Sequence, residues 1–324
     1  MSRLSRKVKL ILIVAIASLF LLSGIGIQAM ATQKEFVIGA SIMNSVEPFY
    51  VDIMKGYEAA AKDFGVKLIK TSAEGDVERT ISIVEDYIVQ GVDAIVLCPP
   101  DSAAVAPAVE KANKAGIPFF TIDINSKSGN VVNFTASSNY KGGQILGYFV
   151  ANYLHGKGVV IVEGTHTITS TGGRMTGFTD VLDKFPGIEW HEYEVTFSRE
   201  KAMQVTEDVL LAYPNIDVIF GAYGADTGLG ATKAIKEAGC TTVKVVNFDA
   251  VPESRKLIYD RDPVLIADVA QQTFLMGYTS IKYAVQYLNG GEVPKEDLLP
   301  CFLVTSDNLI KIDDEILILG LELP

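Results

Sequence analysis

Residues 94–123, AIVLCPPDSAAVAPAVEKANKAGIPFFTID, read as strand, helix, strand, and that unit decides the fold class. Residues 94–97 are apolar at every position, as a strand covered on both faces requires. Pro99 and Pro100 stop the run, because proline has no N–H to give to a ladder. Residues 103–115 then continue as a helix, and residues 117–122 form a second apolar run that stops on Asp123. Two buried strands joined by a helix make a βαβ unit of a parallel sheet.

The same rhythm extends in both directions. Upstream, residues 36–42 form an apolar strand, and residues 50–64 carry Val51, Met54, Tyr57, Ala61 and Phe64 at helical spacing. Residues 66–69 are a second strand, and residues 77–89 a helix with Ile81, Val84 and Ile88 on its buried face, ended by Gly91. Downstream, residues 131–136 form a strand leading across to a second lobe, and the series restarts. Strands are expected at 159–163, 189–196, 218–220, 243–248 and 265–270, with helices at 142–153, 174–184, 199–212, 229–238 and 273–288. The tail beyond Pro300 is short and strand-like, a return crossing instead of a third domain. The expectation is an α/β protein with two doubly wound parallel sheets. One lobe comprises 32–137 plus 271–304, the other 138–270 plus 305–324.

The first 31 residues stand apart. Arg3, Arg6, Lys7 and Lys9 precede an 18-residue run, Leu10 to Ile27, that is broken only by Ser18, Ser23, Gly24 and Gly26. Ala29-Met30-Ala31 then places small residues where a signal peptidase reads them. We expect an export signal cleaved after Ala31; an uncleaved anchor is the rival, since such a run is long enough to span a bilayer. No cysteine precedes Cys98, so lipoprotein attachment is unavailable.

Composition suits an exported globule. The chain has 28 basic and 39 acidic residues, and without the four basic residues of the leader the balance is 24 against 39, a net charge of −15. That surface repels phosphate backbones, which argues against nucleic-acid binding. Cys98, Cys240 and Cys301 are odd in number and widely spaced, so they make neither a zinc site nor a disulfide framework. Buried free thiols are expected, with one bridge among them left open.

Open parallel sheets bind ligands beyond the carboxyl ends of their strands. The positions to inspect are therefore 44–50, 123–125, 165–174, Phe197, 223–226, Asp249 and Gln271. Phe49 and Tyr50 follow Pro48 at a strand-to-helix turn, and Phe197 ends a strand; flat rings suit the C–H faces of a sugar, although aromatics are also core formers. Asp123 and Asp249 each end an apolar run, where a carboxylate can accept two hydroxyl groups or instead cap a helix. Arg174 stands beside Gly172-Gly173 at a helix start, where its planar fork can grip hydroxyls or a carboxylate.

Several local patterns, in order and at their spacing, resemble one family: EPFY at 47–50, GVDAIV at 91–96 leading to Pro99, AGIP at 115–118 with TID at 121–123, Asn139 to Gly143, Arg174 with Gly177-Phe178, and VNFD at 246–249. The chain resembles the ribose-binding-protein-like group of type I solute-binding proteins, the periplasmic sugar-binding proteins of ABC transporters, over roughly residues 36–309. The resemblance implies two Rossmann-like lobes joined by three crossover segments, near 137–139, 270–271 and Thr305. It implies hinge closure on a small sugar-like ligand and delivery to a membrane permease or chemoreceptor, by a monomer without cofactor or catalysis. Phe49, Tyr50, Asp123, Arg174, Phe197, Asp249 and Gln271 match ligand-binding positions of that family.

Three positions depart from the family's ribose-binding pattern. An arginine after the first aspartate is replaced by Ile124, an asparagine before the Pro-aromatic step by Glu47, and an asparagine opening a late helix by Tyr223 or Gly224. The loop 42–47 is two residues longer. One cation is lost and one anion gained, so the expected ligand is neutral and rich in donors, or carries an amine.

Other classes lack their signatures. There is no G-x-G-x-x-G after the first strand, no Walker A sequence, and no H-E-x-x-H around His155, His166 or His191. Repressors that share the ligand-binding fold need an N-terminal helix-turn-helix where this chain has a leader. An anchored sensor domain, presenting a nucleoside, amine or diol to a signalling partner, is the remaining rival.

Overall fold

The computed structural model describes residues 35–196, 198–312 and 315–318; the expected export signal, Phe197 and the end of the tail lie outside them. Alternating apolar runs and helical faces fold as β1 (Val37–Ile42), α1 (Pro48–Phe64), β2 (Lys67–Ser72), α2 (Val77–Gln90), β3 (Ala94–Leu97), α3 (Ala106–Lys114), β4 (Phe119–Ile122) and β5 (Val131–Ser137). The chain continues through α4 (Asn139–Tyr153), β6 (Lys157–Gly164), α5 (Thr169–Leu182), β7 (Gly187–Glu194), α6 (Arg199–Ala212) and β8 (Val218–Gly221). A π-helical turn (Gly224–Gly228) leads into α7 (Leu229–Glu237), β9 (Lys244–Val246), α8 (Pro252–Tyr259), β10 (Leu265–Ala270) and α9 (Thr273–Leu288). Four short strands follow: β11 (Glu296–Leu299), β12 (Phe302–Val304), β13 (Leu309–Ile312) and β14 (Glu315–Ile318).

The first sheet has the order β11-β5-β4-β3-β1-β2 and is parallel throughout. The second runs β12-β10-β9-β8-β6-β7 and is parallel except for its β12 edge. In β3, Ala94 and Val96 pack toward α1 and α9 while Ile95 and Leu97 pack toward α2 and α3, and all four are fully buried. That two-sided burial is why the run shows no polar alternation. In β6, Val160 and Val162 face α4 and α5, and Ile161 faces the opposite core.

Close helix contacts anchor each lobe. A Cβ on Gly56 would lie 2.1 Å from the Phe274 carbonyl oxygen, and one on Gly277 2.2 Å from that of Ile53, so α1 and α9 approach through a reciprocal glycine pair. Gly143 and Gly177 do the same between α4 and α5, each 2.0 Å from the carbonyl oxygen of Arg174 or Tyr140 respectively. The glycines of the 139–143 and 174–178 patterns therefore set the depth at which Arg174 is carried.

Boundaries differ from expectation where side chains or prolines intervene. Helix α3 starts at Ala106, not 103, because Asp101 Oδ1 accepts the N–H groups of Ala103 (2.8 Å) and Ala104 (2.6 Å) and holds a turn there. The strand β11 was not anticipated. It pairs with β5, and Pro300 ends it, so the third crossing falls at 300–301 and not near Thr305. The apolar run 298–304 gives no periodic sign of that break; only the proline does. The three crossings lie side by side: Ser138 N–H donates to the Leu299 carbonyl (2.8 Å), Gln272 Nε2 to that of Pro300 (3.0 Å), and the Cys301 thiol to that of Ser138 (3.8 Å). All three cysteines are free; Cys98 and Cys301 are buried, but Cys240 is only partly so. No helix among the described residues is long and apolar enough to cross a membrane.

Candidate functional site

Asp123 and Asp249 occupy equivalent places, each just beyond a central strand of its sheet, and each has a positive φ, 63° and 91°. Non-glycine residues rarely adopt that conformation, and where they do the surroundings hold them there. At Asp123 the Ile124 N–H donates to the Ile122 carbonyl at 2.7 Å, closing a γ-turn of the rare positive-φ form. At Asp249 the turn is held by buried Asp268, whose Oδ1 accepts the N–H groups of Ala250 (3.0 Å) and Val269 (2.7 Å). Burial pushes the Asp268 carboxyl up to about 7, against the lowering effect of its hydrogen bonds.

The Arg174 and Asp249 side chains, 4% and 5% exposed, form an ion pair of 3.1 Å. Arg174 also donates through Nε to Asn139 Oδ1 (2.8 Å) and through Nη1 to the Ala222 carbonyl (3.0 Å), and its guanidinium lies 4.0 Å from the Phe248 ring centroid. Asp249 further accepts from Gln271 Nε2 (2.6 Å) and the Gly224 N–H (3.1 Å). Gly224 is forced by packing, because a Cβ there would lie 1.6 Å from the Phe248 carbonyl oxygen. The π-helical turn is thus wedged against the strand end that carries Asp249.

Asp123 is also buried, and among the described residues the thiol of Cys98 lies 4.0 Å from its Oδ2. Burial pushes its carboxyl up to about 6; Arg174 pulls it down and Asp249 pushes it further up. Those influences come from the second lobe, so the strand ends of the two lobes face one another. Tyr50, buried beside Asp123, has its phenol pushed well up by burial and by that carboxylate, and it donates to Met43 Sδ at 3.2 Å. Phe49 packs edge-on to Tyr50 at 4.9 Å between centroids. A second link spans the lobes: Tyr223 O–H donates to Glu47 Oε2 at 3.4 Å. Burial raises the Glu47 carboxyl, the Tyr223 bond opposes that rise, and Asp226 and Asp249 add to it.

The structure therefore gathers Glu47, Asp123, Arg174, Tyr223, Asp249 and Gln271 into one linked cluster between the sheets, with Phe49 and Tyr50 beside it. Phe197 lies outside the described residues. Sequence reasoning missed Asn139, which orients Arg174, although its place directly after a crossing was a usable signal. Asp226 was within a stretch marked for inspection but was not chosen as a site residue, and Cys98 was missed as a donor. Two surface hollows, about 340 Å³ beside Arg199 and Lys233 and about 420 Å³ beside Met54 and Lys70, contain none of the candidate residues. Among the described residues, no group of three or more metal-ligating side chains is assembled.

Comparison with known proteins agrees with this architecture. Residues 38–292 match the periplasmic binding protein domain family. The chain is 35% identical over 307 residues to the ribose import binding protein RbsB of Bacillus subtilis, spanning 92% of this chain and 99% of that one. It is 32% identical over 273 residues to the D-apiose import binding protein of Paraburkholderia graminis, spanning 82% and 86% of the two chains. An Agrobacterium vitis ABC transporter solute-binding protein, solved with α-D-tagatopyranose, superposes with a TM-score of 0.77 at 26% identity, covering 85% of this chain and 96% of its own.

Proposed function

The chain belongs to the periplasmic binding protein domain family, and from that premise we propose that it captures a small sugar or polyol-like solute between its lobes, outside the cytoplasm, and delivers it to an ABC transporter permease. Members of this family are transport components and not enzymes. The named relatives are import binding proteins for ribose and apiose, which favours transport over the sensing rival.

The observation that carries the reading is the facing pair of strand-end aspartates, Asp123 buried with a weak donor and Asp249 with its side chain locked to Arg174 and Gln271. A cyclic polyol offers adjacent hydroxyls that a carboxylate can accept in pairs, and charge-assisted bonds of that kind are the strong ones. Phe49 and Tyr50 add apolar contact beside Asp123. Ligand contact by Glu47, Phe49, Tyr50, Asp123, Arg174, Phe197, Tyr223, Asp249 and Gln271 is part of this proposal. So are cleavage of the leader after Ala31 and action as a monomer. Closure would be a hinge motion about the three adjacent crossings at 137–139, 270–272 and 300–301.

The test is a thermal-shift screen of exported protein against pentoses, hexoses, polyols and amino sugars. Ligand at a hundred times its Kd stabilises by about 2.7 kcal/mol, a rise of several degrees for a chain of this size. A shift confined to one class of polyol and lost in Asp123→Asn supports the reading. A flat response from folded, ligand-stripped protein sinks it.

A further inference from the structure

We infer that the cleft takes a polyol bearing a protonated amine, with the ammonium set against Glu47 and Asp226. The inference rests on the sugar-like reading of the cleft and narrows it to a cationic class.

The argument begins with donors. Arg174 Nε and Nη1 are committed to Asn139, Ala222 and Asp249. Gln271 Nε2 is committed to Asp249, and the Tyr223 hydroxyl to Glu47. The protein's own acceptors thus take up these side-chain donors.

The acceptors are in the opposite condition. Gln271 is 7% exposed, and its Oε1 has no hydrogen-bond partner among the described residues. The amide orientation is fixed, because Nε2 is the end that meets the Asp249 carboxylate. Asp123 has the weak thiol contact of Cys98. A buried acceptor left without a donor is destabilising, so the cleft calls for a ligand that donates.

Hydroxyl groups alone would satisfy those hydrogen bonds, but not the charge. Among the described residues, Glu47, Asp123, Asp226 and Asp249 share the cleft with one buried cation, Arg174, which is already paired to Asp249. Arg199 reaches Asp226 electrostatically, yet its guanidinium is held by the Ala225 carbonyl (2.7 Å) and by Glu253 (3.0 Å). Glu47 and Asp226 are both half-buried, and the carboxyl of each is raised, first by burial. A neutral ligand would exclude water from these two acids and leave their repulsion in place. An ammonium removes the repulsion and supplies three donors. The residue after Asp123 is Ile124, which brings no compensating charge.

The probes are matched pairs: D-glucosamine with D-glucose, D-galactosamine with D-galactose, and an amino-inositol with myo-inositol, with N-acetyl derivatives as size controls. Titration calorimetry on exported protein stripped of bound solute gives the Kd of each. At least one amine should bind tenfold or more tighter than its neutral partner, about 1.4 kcal/mol, and its N-acetyl form should lose that gain. Glu47→Gln or Asp226→Asn, each checked for folding by circular dichroism, should lower the amine-to-neutral ratio at least tenfold. Neutral members binding as tightly in every pair, or a ratio unmoved by both variants, overturns the amine inference and leaves the sugar reading standing. Failure of all these polyols, charged and neutral, overturns the amine inference, and the sugar reading falls only if pentoses also fail to bind.

Discussion

Asp123 and Asp249 hold the same place in their two lobes, and the lobes treat them differently. Both follow an apolar strand and both have positive φ. Asp249 meets a cation, an amide and a backbone N–H, while Asp123 meets a thiol. A buried carboxylate without strong donors shifts toward its neutral form, as Asp123 does. One half of the site is therefore complete within the protein, and on the proposed reading the other half takes its donors from a ligand. A binding protein that must both close on a solute and release it gains from such asymmetry, because the second lobe can hold its geometry while the first lobe's aspartate rewards closure.

The largest effect should come from breaking the complete half. Asp249→Ala leaves Arg174 buried without its counter-ion, and breaking such a pair costs about 3–5 kcal/mol. Urea denaturation should show at least ~3 kcal/mol of lost stability. Replacing Arg174 and Asp249 together by apolar residues should lose less than the two single changes summed. A loss below ~1 kcal/mol for Asp249→Ala would mean that the pair is effectively solvated and the contrast with Asp123 is false.

An intermediate effect tests the incomplete half. The Asp123 carboxyl is raised to about 6 in the folded chain, against about 3.9 when unfolded. Between those values the folded state binds more protons, so this group's contribution to ligand-free stability falls as pH rises from about 4 to about 6. The loss amounts to ~2–3 kcal/mol at full development. Asp268, raised to about 7, and Glu163, raised to about 8, act with the same sign. Comparing wild type with Asp123→Asn at each pH cancels them. The variant should be more stable than wild type at pH 7 and lose that advantage near pH 4. Equal stability at both pH values would show that Asp123 has a donor when the chain is free of ligand.

The smallest effect concerns the bond between lobes. Tyr223→Phe removes the 3.4 Å contact to Glu47, a long hydrogen bond worth about 0.5–1 kcal/mol. Ligand affinity should fall by about two- to fivefold with little change in melting temperature. An unchanged Kd by calorimetry would mean that this contact does not contribute to closure.

Much of this was legible in advance. Fully apolar strands punctuated by prolines and glycines named both parallel sheets, and the rule that ligands sit beyond strand ends named Asp123 and Asp249. The π-helical turn was not legible, since glycine spacing at 221–230 shows permissiveness and not the carbonyl that crowds Gly224. Asn139 and Cys98 were missed because their roles depend on neighbours 35 and 25 residues away in the chain. The break at Pro300 was obscured because two strands of different sheets share one apolar run.

By itself the sequence determined the α/β class, the two-sheet organisation and the family, because these follow from local period, punctuation and ordered short patterns. Tertiary structure decided which aspartate is paired and which donors the protein's own acceptors take up. Those are properties of pairs, and their energies depend on distance and on exclusion of water, neither of which is written in the order of residues.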